Sequence, residues 1–330
     1  MRILACLNAD LFSCLAINRL LPALAGHDVS IALTQRVGNP GADADEPRQR
    51  RELRQAEQGI PLEQIFPLVE RANLPDDGKR LLTFRELTTR RGIPVTALPN
   101  PNNDEGLAWV RALAPDLVVS IRYGAIFKSA FLATPPLGVL NLHSGILPAY
   151  RGVLATFRAL ANGDETIGCT VHYIADGTID TGPIVTTTRT PVDRSRSLFW
   201  HVAQVYGPGV AALGDAAQRV LRGETLPVSE QPGGAYYTYP TREEWARFAA
   251  DGWEAVTMRD AAEVWGCLGE RRSRPCWCAE GGIGSREKRS GRCTVACWFR
   301  RVWHRRGRGA DGVGAPAGIL RCSRSQYLAN

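Results

Sequence analysis

The 330-residue chain contains no run of about 18 consecutive apolar residues, so no segment reads as a membrane-spanning helix. Its start, Met1-Arg2-Ile3-Leu4-Ala5-Cys6, passes straight into a strand-like segment. It lacks the charged region, longer apolar run and small-residue cleavage site of a secretory leader, and a cytoplasmic protein is expected. The turn after the first strand, Asn8-Ala9-Asp10, lacks the G-x-G-x-x-G fingerprint. That argues against a dinucleotide and against any site that cradles phosphate on glycines. There is no serine in a G-x-S-x-G elbow and no cysteine paired with a histidine motif, so covalent nucleophilic catalysis of those kinds is not indicated. Acidic residues are scarce at one end only. Residues 271–330 hold 13 Arg and one Lys against Glu280, Glu287 and Asp311, a net of +11. Residues 1–270 carry 26 basic and 30 acidic residues, a net of −4, so the overall +7 belongs to the tail. The cysteines split likewise: Cys6, Cys14 and Cys169 lie in apolar surroundings of the body and read as buried free thiols of a reducing compartment.

With 44% hydrophobic and 22% charged residues, the chain can bury an ordinary globular core. Residues 2–7 read as a buried strand, 11–24 as a helix capped by Asp10, and 28–34 as a second strand, a βαβ opening. Residues 37–60 read as a loop followed by a short exposed helix from about Glu46. Its basic run, Arg48, Arg50, Arg51 and Arg54, is either a solvated helix face or a contact for an anionic substrate. Helices are expected at 80–91 and 105–114, and strands at 93–98, 117–121 and 138–142. The fold class is therefore α/β, a Rossmann-like, mostly parallel sheet with helices on both faces. In such sheets ligands sit beyond the carboxyl ends of the strands.

Two segments there carry chemistry. In Gly138–Gly152, Asn141 and His143 flank one apolar residue at a strand end, so strand periodicity puts both on one face. In Gly168–Val185, a strand over 169–174 leads into an Asp-Gly loop that ends at Asp180. An amide, an imidazole and a carboxylate suit acyl transfer. Asn141 can donate an N–H to the oxyanion of an attacked carbonyl, and a protonated His143 adds a second donor and a charge. Asp180 can hold the imidazolium or position a water that relays the amine proton.

These segments resemble the signature of the folate-dependent formyltransferases, the family of methionyl-tRNA, glycinamide ribonucleotide and sugar-amine formyltransferases. Its pattern is N-x-H-x-S-L-L-P-x-Y-R-G followed by a D-x-G-P loop, matched here by Asn141 to Gly152 and by Asp180-Thr181-Gly182-Pro183. The likeness covers about residues 1–222. It implies transfer of a formyl group from 10-formyltetrahydrofolate to an amine, with Asn141, His143 and Asp180 as catalytic residues and no metal. It also implies that the pterin lies against Ile121, Arg122, Tyr123, Gly124 and Ile126 and against the loop of Asp176, Gly177 and Thr178. Tyr150 and Arg151 are the substrate-side residues, Arg151 either steering an anionic group or pairing within its turn. One departure stands out: the family has Pro-Ser or Gly-Ser after the histidine, whereas here Ser144-Gly145 follows. On residue type alone, His172 reads as a packed or loop-bracing residue and Asp176 as a turn former. Tyr123 and Phe127 suit either the pterin or the core.

Residues 195–222 show a long helical pattern interrupted at Gly207-Pro208-Gly209. Residues 233–240 are aromatic-rich, either an extension wrapping back on the domain or a platform for a ring, and Thr241 to Glu244 form a capping box. The expected organisation is a catalytic domain over 1–192, a helical extension over 193–268 and a basic Cys/Arg/Gly-rich tail over 269–330. The extension is too short and too helical for the β-barrel that methionyl-tRNA formyltransferases add, and the body is net negative, so nucleic acid is not the expected acceptor. The expected partner is a small-molecule amine, an amino sugar or an amino-acid-derived amine. The alternatives are methionyl-tRNA formylation, hydrolysis of 10-formyltetrahydrofolate, and a nucleic-acid or zinc-binding protein acting through the tail. Cys276, Cys278, Cys293, Cys297 and His304 carry the zinc alternative, although C-x-C is not the common finger spacing. The tail composition is also what out-of-frame translation of a GC-rich gene gives, with a frameshift near 266–270. The 195–222 helix is a candidate homodimer surface.

Overall fold

The computed structural model describes residues 1–35, 46–78 and 80–268. The expectations for residues 269–330 (zinc, nucleic acid, frameshift) lie outside the described residues. Five parallel strands open the chain: β1 (Arg2–Asn8), β2 (Asp28–Thr34), β3 (Val95–Ala97), β4 (Leu117–Ile121) and β5 (Val139–His143). After the short β6 (Arg151–Gly152), β7 (Thr166–Tyr173) and β8 (Ile184–Pro191) add on antiparallel. The seven-stranded sheet has the order β3-β2-β1-β4-β5-β7-β8. A final strand, β9 (Tyr236–Tyr237), pairs parallel with β6.

Both faces of the sheet are covered, as the near-continuous apolar runs require. Leu4, Cys6, Val118 and Val139 face α5 (Asp104–Leu113) and α6 (Ser129–Leu132) through Leu107, Val110, Phe127 and Phe131. The opposite face is covered by α1 (Leu11–Leu20) and α8 (Leu198–Leu221), where Phe12 meets Phe199 and Tyr206. Asp10 caps α1 by accepting from the Ser13 N–H at 2.8 Å, as its position predicts. Pro22 tightens the end of that helical run into a 3-10 turn at Leu21–Leu24.

Three boundaries differ from the sequence reading. The exposed short helix expected near Glu46 is a long, partly buried helical path: α2 (Arg48–Arg54), two π-helical stretches (Gln55–Gly59 and Pro61–Ile65) and α3 (Phe66–Ala72). Leu53, Ala56, Ile65, Phe66 and Val69 supply its buried side, and Pro61 lacks the N–H that would continue a regular ladder. Helix α4 (Phe84–Arg91) starts four residues later than the periodicity suggests. Thr83 and Glu86 form a reciprocal capping box there, and Arg80 is drawn away to pair with Glu86 through both terminal nitrogens at 2.7 and 2.9 Å. Helix α8 continues straight through Gly207-Pro208-Gly209. A proline inside a helix costs about 3 kcal/mol; here the buried row Val202, Val205, Tyr206, Val210 and Leu213 offsets it. The Cys169 thiol also donates to the Val205 carbonyl at 3.2 Å.

The chain then returns. Thr241 and Glu244 form the expected capping box of α9 (Arg242–Ala250), and α10 (Met258–Gly266) follows. Trp245 and Phe248 of α9 pack at tilted angles on Phe157 of α7 (Ala155–Ala161), and Trp265 of α10 donates to the Ala56 carbonyl at 3.0 Å. The aromatic-rich segment thus wraps back on the domain.

The Arg80–Glu86 pair is fully buried, and removing one partner strands a charge. Arg80→Leu is expected to lower unfolding free energy by about 3–5 kcal/mol in a urea titration. A change below about 1 kcal/mol would show that Arg90, which also reaches Glu86 at 3.3 Å, suffices.

Candidate active site

Strand alternation sorts the side chains at the carboxyl edge. Val139 faces the α5–α6 layer, so Asn141 and His143 project on that face, while Leu140 and Leu142 lie on the other. Antiparallel pairing with β7 sets His172 opposite Asn141 and Thr170 opposite His143. The loop between β7 and β8 then returns Asp180 to the same point.

The resulting cluster is tight. Asn141 Nδ2 lies 3.0 Å from His172 Nε2, and His172 Nδ1 lies 2.9 Å from the Tyr173 carbonyl oxygen. A carbonyl only accepts, so Nδ1 carries the proton and Nε2 accepts from the Asn141 amide. That uses one of the two Asn141 N–H bonds. Asp180 places Oδ2 3.4 Å from His143 Nδ1 and Oδ1 3.5 Å from His172 Nε2, and accepts from the Gly152 N–H at 2.8 Å. His143 Nε2 faces the Tyr150 carbonyl oxygen at 2.6 Å. With an acceptor at each ring nitrogen, His143 satisfies both only as the doubly protonated imidazolium. The Asp180 contact is the longer of the two, so a substrate oxygen would most readily compete at Nδ1.

Asp180 sits at φ +54°, in the left-handed region that a non-glycine residue adopts at a cost. Burial alone would raise its carboxyl. The His143 charge, the His172 contact and the Gly152 N–H outweigh that and hold it at about 2, below its ordinary 3.8. Asp180 is therefore an anion throughout the physiological range.

The remaining expected site residues divide. On the α5–α6 face, Tyr123 stacks on Phe127 with ring centroids 5.1 Å apart, and its phenol donates to the Leu98 carbonyl. Ile121 is buried, Ile126 is half exposed, and the Gly124 N–H donates to Thr34 Oγ1 at 2.9 Å. Gly177 comes against this segment: a Cβ built on it would stand 3.7 Å from the Phe127 carbonyl oxygen. Asp176 accepts from the Thr178 N–H at 2.8 Å and from its hydroxyl, and both contacts keep its exposed carboxyl below the usual range. The two segments named for the pterin thus adjoin.

Arg122 points elsewhere. Its guanidinium donates to Asp10 at 2.9 Å and to Glu57 at 2.7 Å, beneath Phe12 on the α1–α8 face. The Tyr150 phenol donates to Asp164 at 2.8 Å, so the carbonyl rather than the ring of Tyr150 enters the cluster. Arg151 Nε donates to the Ile179 carbonyl at 3.1 Å, next to Asp180. The basic run of α2 is matched within its own segment: Arg50 and Arg54 pair with Glu46, Arg48 with Glu52, and Arg51 donates to the Glu46 carbonyl.

Sequence reasoning did not bring His172 and the Gly152 N–H into the site. The period-two match of Thr170 and His172 with Asn141 and His143 on a neighbouring strand was the available signal for His172. Among the described residues no group of three or more His, Cys, Asp or Glu could hold a metal ion, and no helix is long and apolar enough to cross a membrane.

A Rossmann-like sheet with an amide, two imidazoles and a carboxylate gathered beyond β5 is the framework of a group-transfer site. Residues 70–200 match the family model described as Formyl transferase, in line with the resemblance of the two motifs. The methionyl-tRNA formyltransferase of Mycolicibacterium gilvum is 39% identical over 150 residues, 44% of this chain and 47% of that protein. The same-named protein of Trichlorobacter lovleyi is 32% identical over 163 residues, 48% of this chain and 50% of that one. The chain therefore spans about half the length of the curated relatives it matches. A 4-N formyltransferase structure from Francisella tularensis aligns over 83% of this chain and 89% of that chain, at TM-score 0.48 and 13% identity.

The depressed Asp180 carboxyl links stability to pH. Its contribution is complete above the ordinary carboxylate range and is lost as pH falls from about 4 toward 2. Over that window the wild type should lose about 2 kcal/mol more than Asp180→Asn in urea unfolding. Parallel loss in the two proteins would show that Asp180 is not held by its neighbours.

Proposed function

We propose that the chain transfers a formyl group from 10-formyltetrahydrofolate to the amine of a small molecule, an amino sugar or an amino-acid-derived amine. The observation that carries this reading is the convergence of Asn141, His143, His172 and Asp180 at the carboxyl end of β5. In this reading residues 1–192 are the catalytic unit and 193–268 its helical extension. The segment 121–127 and the loop 175–180 are the donor's seat; their close approach, the half-exposed Ile126 and the open backbone at Gly177 suit a flat ring. There Arg122 contributes backbone only, its side chain being committed to Asp10 and Glu57.

The donor, when bound, supplies an electrophilic formyl carbon attached to a nitrogen that can leave. The second N–H of Asn141 is free to meet the carbonyl oxygen as negative charge grows on it, and the His143 imidazolium stabilises that charge. The amine must arrive uncharged to use its lone pair. As its nitrogen bonds to the formyl carbon it sheds a proton, which the Asp180 carboxylate can pass through water to the departing nitrogen. The bond made is C–N to the acceptor, the bond broken is C–N to the donor, and one proton moves from the first nitrogen to the second.

The α1 N-terminus limits the acceptor. A helix start is a natural seat for phosphate, but here Asp10 fills it with its own carboxylate, held by Asn8, the Ser13 N–H and Arg122. An acceptor that needs its phosphate at that point is disfavoured. The second reading, methionyl-tRNA as acceptor, is favoured by the names of the curated relatives, which this chain matches over about half their length.

The test is saturable binding of 5-formyltetrahydrofolate, followed by formyl-transfer assays with amino sugars, amino acids and methionyl-tRNA. His143→Ala and Asn141→Ala should each lower turnover by roughly 10²–10³-fold while leaving 5-formyltetrahydrofolate binding nearly unchanged. Full turnover in His143→Ala would overturn the assignment, and formate release without any amine would replace transfer by hydrolysis.

A further inference from the structure

Both backbone groups that hold the catalytic pair come from one short turn. The Tyr150 carbonyl faces His143, and the Gly152 N–H faces Asp180. In an extended segment successive peptide groups point to opposite sides. Tyr150 and Gly152 can therefore both face the site only if Arg151 and Val153 face away from it. Their partners on the far side are specific. The Arg151 N–H donates to the Ala235 carbonyl at 3.0 Å, and the Val153 N–H to the Tyr237 carbonyl at 3.0 Å. These bonds are the β6–β9 ladder, with Arg151 opposite Tyr236 and Gly152 opposite Tyr237.

The approach of the two segments is as close as backbone allows. Gly234 lies at φ +147°, and a Cβ on it would stand 1.9 Å from the Pro148 carbonyl oxygen. A Cβ on Gly152, at φ +97°, would stand 2.1 Å from the Tyr237 carbonyl oxygen. Only glycine fits either place.

We propose that the strap 233–237 is a positioning element of the catalytic centre and that Gly234 is its positioning residue. By taking the outward N–H groups of Arg151 and Val153, the strap aims the Tyr150 carbonyl and the Gly152 N–H inward at His143 and Asp180. A segment about 90 positions beyond His143 and about 55 beyond Asp180 thereby sets the geometry of the imidazole–carboxylate pair. The consequence for turnover rests on the formyl-transfer reading; the geometric claim does not.

The experiment is Gly234→Ala in the full chain, with three readouts. Amide exchange at Gly152 should rise about tenfold or more as the ladder loosens. The His143 imidazole resonances should move from their wild-type positions across a pH titration, because Asp180, the carboxylate facing it beside His172, loses its backbone anchor. Binding of 5-formyltetrahydrofolate should stay within about threefold of wild type, since the 121–127 segment is untouched and the 176–178 turn is closed by its own Asp176–Thr178 bonds. Faster Gly152 exchange with a superimposable His143 titration would overturn the proposal, as would unchanged exchange. If Gly234→Ala does not fold, Gly233→Ala carries the same test, because φ +135° strains the strap there with no atom within 4 Å of the new Cβ. A wild type that fails to bind 5-formyltetrahydrofolate would sink the formyl-transfer reading and leave the exchange and titration outcomes to decide the strap.

Discussion

The buried carboxylate of Asp180 is the constraint on which the site depends. A carboxylate taken out of water is costly unless donors and positive charge replace the lost hydration. Here the replacements come from His143 at the end of β5 and the Gly152 N–H of β6, while His172 near the end of β7, held by the Asn141 amide, lies beside the carboxylate. Each must be in register for the others to be worth having. A slip of one residue in β7 would send His172 to the opposite face and leave Asn141 without its partner. The contacts that make the anion tolerable are the same ones that orient the groups able to stabilise a developing oxyanion, so stability and chemistry cannot be tuned separately at this point.

Strand alternation divides the carboxyl edge into two compartments of different character. On the α5–α6 face lie Asn141, His143 and the stacked Tyr123–Phe127 pair, with an exposed rim at Ile126. On the α1–α8 face lie Arg122, Asp10 and Glu57, bonded to one another and covered by Phe12. The second compartment is a closed ion network, and burial lifts the Glu57 carboxyl despite its arginine. Close packing in the turn after β5 accounts for the order Ser144-Gly145. A Cβ at position 145 would stand 2.5 Å from the Ala155 Cβ and 2.7 Å from His143 Nε2. The hydroxyl that the family places there has no room in this turn and stands one residue earlier.

Much of this was legible in the residues because much of it is local. β2 runs over the expected residues, Asp10 and Thr241 cap as their types predict, and Asn141 and His143 share a face because period two requires it. What was not legible depends on partners distant in sequence. His172 is buried and braced as its residue type suggested, but that it braces Asn141 follows from pairing with β5, which the β7 run alone does not specify. Pro208 looked like a break because its local cost is plain, whereas the packing of Val205, Tyr206 and Val210 that offsets it is tertiary. Arg122 was expected beside the pterin because the family resemblance implies that seat for residues 121–126. Its φ of +58° and the carboxylates of Asp10 and Glu57 turn it to the other face, and no neighbour in sequence announces that.

The division of labour along the chain follows from where its chemistry lies. The parts that could polarise a carbonyl and move a proton are contained in β5, β7 and the turns that follow them, inside the stretch that matches the family model. In acyl transfer nothing in such a cluster would distinguish one amine from another, since an amide N–H, an imidazole and a carboxylate would act on the carbonyl and on any nitrogen that attacks it. Discrimination must therefore come from surfaces around the cluster. Two such surfaces are the α1 start, closed by Asp10 against an anion, and the 148–152 turn, pinned by the 233–237 strap beside the half-exposed Tyr236. An acceptor that avoids the first and approaches along the second would meet its selective contacts on the segment that also holds the catalytic pair in place, so binding there and catalytic geometry would be coupled through the same two backbone hydrogen bonds.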